Sequence, residues 1–82
     1  VTGGIITLQS KNSEIYNYRG LAHLKRKDFT SSLVDFDSAI TLYPSNANYY
    51  INRGLAKAKQ GDSGGAIADY EKALSLSPAH PL

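Results

Sequence analysis

Thirty-four residues separate two copies of one tetrapeptide, Arg19-Gly20-Leu21-Ala22 and Arg53-Gly54-Leu55-Ala56. The same offset lays Tyr16 on Tyr50, Lys25 on Lys59, Asp28 on Asp62, Asp35 on Asp69, Ala39 on Ala73, Leu42 on Leu76 and Pro44 on Pro78. A chain repeating at this period folds as stacked copies of one supersecondary unit, each too small to bury its apolar face alone. Residues 13-46 and 47-80 are read as the two units. Residues 1-12 are an N-terminal lead-in or the remnant of a preceding unit, and 81-82 a tail.

Inside each unit, apolar and small residues recur at steps of three and four, the spacing of one helical face. In the first unit Tyr16, Gly20, Leu21, Ala22 and Leu24 predict a helix over about 13-27, with Asn12 or Ser13 placed to cap it. Lys25, Arg26 and Lys27 fall in its last turn, where positive charge meets the negative end of the helix dipole. Asp28 is placed to cap a second helix over 29-42, with the stripe Phe29, Leu33, Phe36, Ala39, Ile40 and Leu42. Pro44 ends it by driving Tyr43 out of helical angles.

The second unit repeats this plan with a helix over about 47-60, a turn at Gly61-Asp62, a helix over 63-76 and Pro78. Gly61 supplies the left-handed residue favoured after a helix end. Lys27 occupies that place in the first unit, so its turn is expected to be strained or differently shaped. Gly64 and Gly65 each weaken the last helix by roughly 1 kcal/mol relative to alanine, and fraying is expected there. At the start of the chain Ile6 and Leu8 fall opposite Ile40 and Leu42, yet Ser10 replaces the proline and Gly3-Gly4 oppose helix. A frayed lead-in or an expression remnant fits these residues equally well.

Composition removes several classes of function. Without cysteine there is neither a disulfide framework nor a thiolate metal site. A net charge of +2 is too small for a general nucleic-acid binder. No apolar run approaches the roughly 18 residues that cross a bilayer, so no membrane partner is expected, and the compartment stays open with the cytoplasm as default. No glycine-rich phosphate loop follows a strand and no paired His-Glu motif occurs, while His23 and His80 lack a nucleophile at suggestive spacing. The chain is expected to be no enzyme and to need no cofactor or metal, with His23 in a packing role.

A 34-residue helical hairpin carrying Tyr16, Gly20, Phe29, Phe36, Ala39 and Pro44, and then Tyr50, Gly54, Gly61, Ala66, Tyr70, Ala73 and Pro78, resembles the tetratricopeptide repeat. The resemblance covers about 68 of the 82 residues. It departs from the family pattern at Arg19 and Arg53, where leucine usually precedes the glycine, at Ser32 in place of alanine, and at Ser63 in place of the aromatic matched by Phe29. The fold it implies is all-α, a right-handed superhelix of antiparallel helical hairpins, a TPR-like solenoid. The function it implies is a protein-protein interaction scaffold whose first helices line a concave groove.

On that resemblance the groove positions include Asn17, Leu21, Leu24 and Lys25 in the first unit and Asn48, Ile51, Asn52, Leu55 and Lys59 in the second. They suit a peptide held by apolar contacts with its backbone bonded by asparagine amides. The family's terminal-carboxylate clamp is not expected, because only Asn52 falls on a clamp place. Over 13-27 and 47-61 seven bases face the single acid Glu14, whereas over 28-44 and 62-78 six acids face the single base Lys72. The groove is therefore expected to be basic, the back acidic, and the guest a peptide of acidic character.

Asp35 follows Arg19, and Asp69 follows Arg53, by 16 residues, a spacing that lets them meet across antiparallel helices. Bridges Arg19–Asp35 and Arg53–Asp69, or an inter-unit Arg53–Asp35, are expected. About three repeats and a polar end cap are the usual requirement for such arrays. Two units therefore point to a fragment of a longer array or to an end surface covered by another copy of the chain. The alternatives are an RNA-binding helical-repeat module and a purely self-associating structural fragment.

Overall fold

The computed structural model describes the backbone of residues 2–77 and the side chains of residues 10–77. It forms four α-helices: α1 (Thr2–Lys25), α2 (Phe29–Leu42), α3 (Ala47–Lys59) and α4 (Ser63–Leu76). Pro78, His80 and the tail 81-82 lie outside the described residues, as do the side chains of Ile6 and Leu8. The helices pack as α1 on α2 and α3 on α4, the two hairpins meeting chiefly through α2 and α3. The fold is all-α, with antiparallel helical hairpins as its units.

Three helices keep the expected limits. Asp28 caps α2 by accepting from the Ser31 amide, Asn46 caps α3 through the Asn48 amide, and Asp62 caps α4 through the Gly65 amide. Tyr43 leaves helical angles ahead of Pro44, closing α2. At α4 both glycines are helical. A Cβ on Gly65 would lie 3.0 Å from Lys57 Cδ and 2.8 Å from Asp62 Cγ, so the missing side chain leaves room for the aspartate cap.

The first helix differs from expectation. It begins at Thr2 and runs through Gly3 and Gly4, so Asn12 and Ser13 are interior residues and cap nothing. Once a helix is nucleated, adding a residue costs far less than starting one, and a glycine pair is tolerated. Ser13 instead donates to the Ser10 carbonyl at 2.7 Å and lies 2.9 Å from the Tyr49 hydroxyl. Its one proton being used on Ser10, Tyr49 is the donor across the junction.

The two intra-hairpin turns have the same shape. Lys27 and Gly61 both have positive φ, 65° and 91°. Asp28 N–H donates to the His23 carbonyl and Lys27 N–H to Leu24, matched by Asp62 to Lys57 and Gly61 to Ala58. This pair of bonds is the Schellman closure of a helix. The first turn therefore holds a lysine where an L-residue is strained. Lys27→Gly is expected to stabilise the chain by roughly 0.5–1 kcal/mol. A urea titration should show a higher midpoint at unchanged slope, and an unmoved midpoint would mean that the turn carries no strain.

Glycine sets the closeness of the helices within each hairpin. A Cβ on Gly20 would stand 2.6 Å from Phe36 Cε1, and one on Gly54 2.8 Å from Tyr70 Cε1. The aromatic of each second helix packs against the first helix where the side chain is missing. Leu24, Phe36 and Ala56 form the core, with Leu21, Phe29 and Leu33 packed against it, so the core straddles the junction of the hairpins.

Candidate functional site

Two arginines organise the polar side of the hairpins. Arg19 grips Asp35 with Nε and Nη2 at 2.9 and 2.7 Å, and Arg53 grips Asp69 at 2.9 and 2.8 Å. Both expected bridges are present, and both carboxylates are buried. The link between units runs from Arg53 Nη1 to Asp37 at 2.8 Å, rather than to Asp35. Each arginine also lies over the tyrosine three residues before it, with Cζ 5.3 Å from the Tyr16 ring and 5.6 Å from the Tyr50 ring.

The first and second copies then diverge. Lys57 Nζ reaches Asp69 at 3.1 Å, and its counterpart is His23, whose Nε2 lies 3.6 Å from Asp35 and Nδ1 3.9 Å from Asp28. His23 thus stands between two carboxylates in the place of a lysine, a role that its expected apolar packing did not include. Burial pushes the Asp69 carboxyl upward, but hydrogen bonds from Arg53 and Lys57 outweigh it and hold the group below the usual range. The same bond, with Asp37's, raises Arg53 despite its burial. Arg19 is raised by Asp35, and the Ser31 hydrogen bonds lower Asp28.

Arg19, Arg53 and Lys57 are therefore neutralised against the second helices, and the free positive charge gathers elsewhere. At the turn end of the first hairpin a cavity of about 570 Å³ is lined by Leu21, Leu24, Lys25, Lys27, Phe29 and Lys59. Its floor is the outer edge of the core, and its rim holds three exposed lysines. None of the three takes part in an ion pair among the described residues. Phe29 was missed as a site residue because it lies on α2, and Lys27, read as the end of the first helix, lies in the turn beyond Lys25.

The nine candidate residues fall into separate places. Leu21, Leu24, Lys25 and Lys59 share the lysine-rimmed cavity. Asn17 and Asn52 bond each other across the hairpins, Asn52 Nδ2 donating to Asn17 Oδ1 at 2.8 Å, and Asn17 is buried. Asn48 and Ile51 line a second groove, of about 380 Å³, between α3 and α4. Leu55 is exposed and lines neither cavity. Among the described residues no His, Cys, Asp and Glu group could hold a metal ion, and no helix is long and apolar enough to cross a membrane.

The family model of the tetratricopeptide repeat matches residues 47–80, the second hairpin in full register with the 34-residue unit. Residues 47–80 are a tetratricopeptide repeat. The four helices are consistent with two such repeats. Tetratricopeptide repeats are non-catalytic and generally serve protein-protein interaction. No curated protein matches the chain.

Proposed function

We propose that this chain binds an acidic segment of a partner protein in the cavity between Leu21, Leu24, Phe29 and the three lysines. The observation that carries the reading is Lys25, Lys27 and Lys59 standing around an apolar floor without carboxylate partners among the described residues. Arg19, Arg53 and Lys57 are spent on aspartates, whereas these three lysines gather around one apolar floor. A segment with an apolar residue flanked by Asp or Glu would fill the floor and meet the rim, the charges setting orientation and encounter rate.

Fluorescence anisotropy with leucine-containing peptides bearing Asp and Glu, against the same peptides bearing Asn and Gln, tests this. The acidic set is expected to bind more tightly, with Lys59→Glu weakening it about tenfold at low salt. Leu21→Ala should weaken both sets alike. Equal binding of acidic and neutral peptides would sink the charge reading, as would capture of single-stranded RNA with an affinity that collapses with salt.

A further inference from the structure

We propose that copies of this chain associate head to tail, the outer face of α1 in one copy seating on the α3–α4 groove of the next. The argument comes from the internal repeat. The α3–α4 groove is lined by Ala47, Ile51, Tyr70, Ala73 and Leu74, among others. Thirty-four residues earlier these are Ser13, Asn17, Phe36, Ala39 and Ile40, and there the seat is filled by α3, through Tyr49 and Asn52. The helix equivalent to α3 is α1. Its outer face carries Ile15 and Tyr18, 64% and 65% exposed, at the places of Tyr49 and Asn52.

Both sides of this face change chemistry together. Inside the chain the junction is polar: Ser13 meets the Tyr49 hydroxyl, Asn17 meets the Asn52 amide, and Asp37 meets Arg53. Carried to the junction between copies, Ser13 and Tyr49 become Ala47 and Ile15, and Asn17 and Asn52 become Ile51 and Tyr18. Two hydroxyls are replaced by two aliphatic groups, and two amides by an isoleucine and a tyrosine. The ion pair survives as Glu71 with Arg19, whose side chain is 59% exposed. A partner unrelated to this chain has no reason to match all three pairs, whereas a second copy does so with its own surface. The two faces differ, so the contact is heterologous and grows into an open assembly rather than closing as a dimer.

The test needs no ligand and leaves Lys25 and Lys59 untouched, so it stands or falls separately from peptide binding. Tyr18→Glu breaks one face and Ile51→Lys the other, both at exposed positions, with far-UV circular dichroism reporting that each variant is folded. Sedimentation velocity of the wild type is expected to show a mass that rises with concentration beyond that of a dimer. Each variant alone should be monomeric. An equimolar mixture should grow again, because the introduced carboxylate then meets the introduced ammonium at one junction, and the unaltered Tyr18 meets the unaltered Ile51 at the next. A wild type that stays monomeric, leaving the faces to another occupant such as a further repeat, overturns the proposal. So does a mass that levels off at two copies, or a mixture no larger than its components.

Discussion

Replacing Asp69 by alanine is expected to lower the unfolding free energy by about 3 kcal/mol, far more than the same change at Asp35. The two carboxylates are similarly buried and equally gripped by an arginine fork, so the space left behind is much the same in both. What differs is the fate of the cations. Arg53 and Lys57 are only 21% and 26% exposed; without Asp69, Arg53 keeps only Asp37, an exposed acid bonded to one of its nitrogens, and Lys57 keeps no ion-pair partner among the described residues. Arg19 is mostly in water already and can rehydrate when Asp35 goes. Urea unfolding of the two variants makes the comparison, and equal losses would show that the charges left behind do not matter.

The same carboxylate predicts an acid limb. Its folded pKa is depressed, so its contribution is fully present above the unfolded value near 3.9 and is lost as pH falls through the lower folded value. Stability of the wild type should decline below about pH 4, and Asp69→Asn should flatten that decline.

Gly20→Ala is expected to cost about 2 kcal/mol, although alanine is the better helix former. The new methyl would lie 2.6 Å from Phe36 Cε1, and Phe36 is wholly buried in the core with no solvent side to move into. Overpacking therefore exceeds the gain in propensity. Gly54→Ala meets Tyr70, which is only half-buried and can yield outward, but also the Ala66 carbonyl oxygen at 3.1 Å, so part of its cost stays. Shortening the obstacle supplies the check: Gly20→Ala combined with Phe36→Leu should lose about 1 kcal/mol less than the sum of the single changes. Strict additivity would remove the ring contact as the cause.

Contacts confined to one hairpin were legible in the sequence, and contacts between hairpins were not. The 34-residue offset gave α2, α3 and α4 nearly to the residue, and the 16-residue spacing gave both arginine bridges, because a short turn fixes which residues of antiparallel helices face each other. Lys57 joining Asp69 and His23 joining Asp35 lie one helical turn beyond each arginine, and following the same face one step further would have found them. Asn17 with Asn52, Ser13 with Tyr49 and Arg53 with Asp37 depend on the angle at which one hairpin rests on the next, which no spacing within a unit encodes. The start of α1 was hidden for another reason: Gly3-Gly4 argue against nucleating a helix there, but α1 is held further along by its packing on α2. At the candidate site the lysines were visible and the cavity was not, since Phe29 and Lys27 enter it from α2 and the turn.

The three nitrogens of Arg53 answer to two different bodies, Nε and Nη2 to the acid of its own hairpin and Nη1 to Asp37 of the preceding one. A guanidinium is flat and does not bend. Two directions of hydrogen bonding are thus locked at a fixed angle in one plane, and with them the tilt between successive hairpins. The pitch of any longer stack made this way would be written into the geometry of a single conjugated group, and a lysine there, with the same charge but no plane, would leave that pitch free to wander.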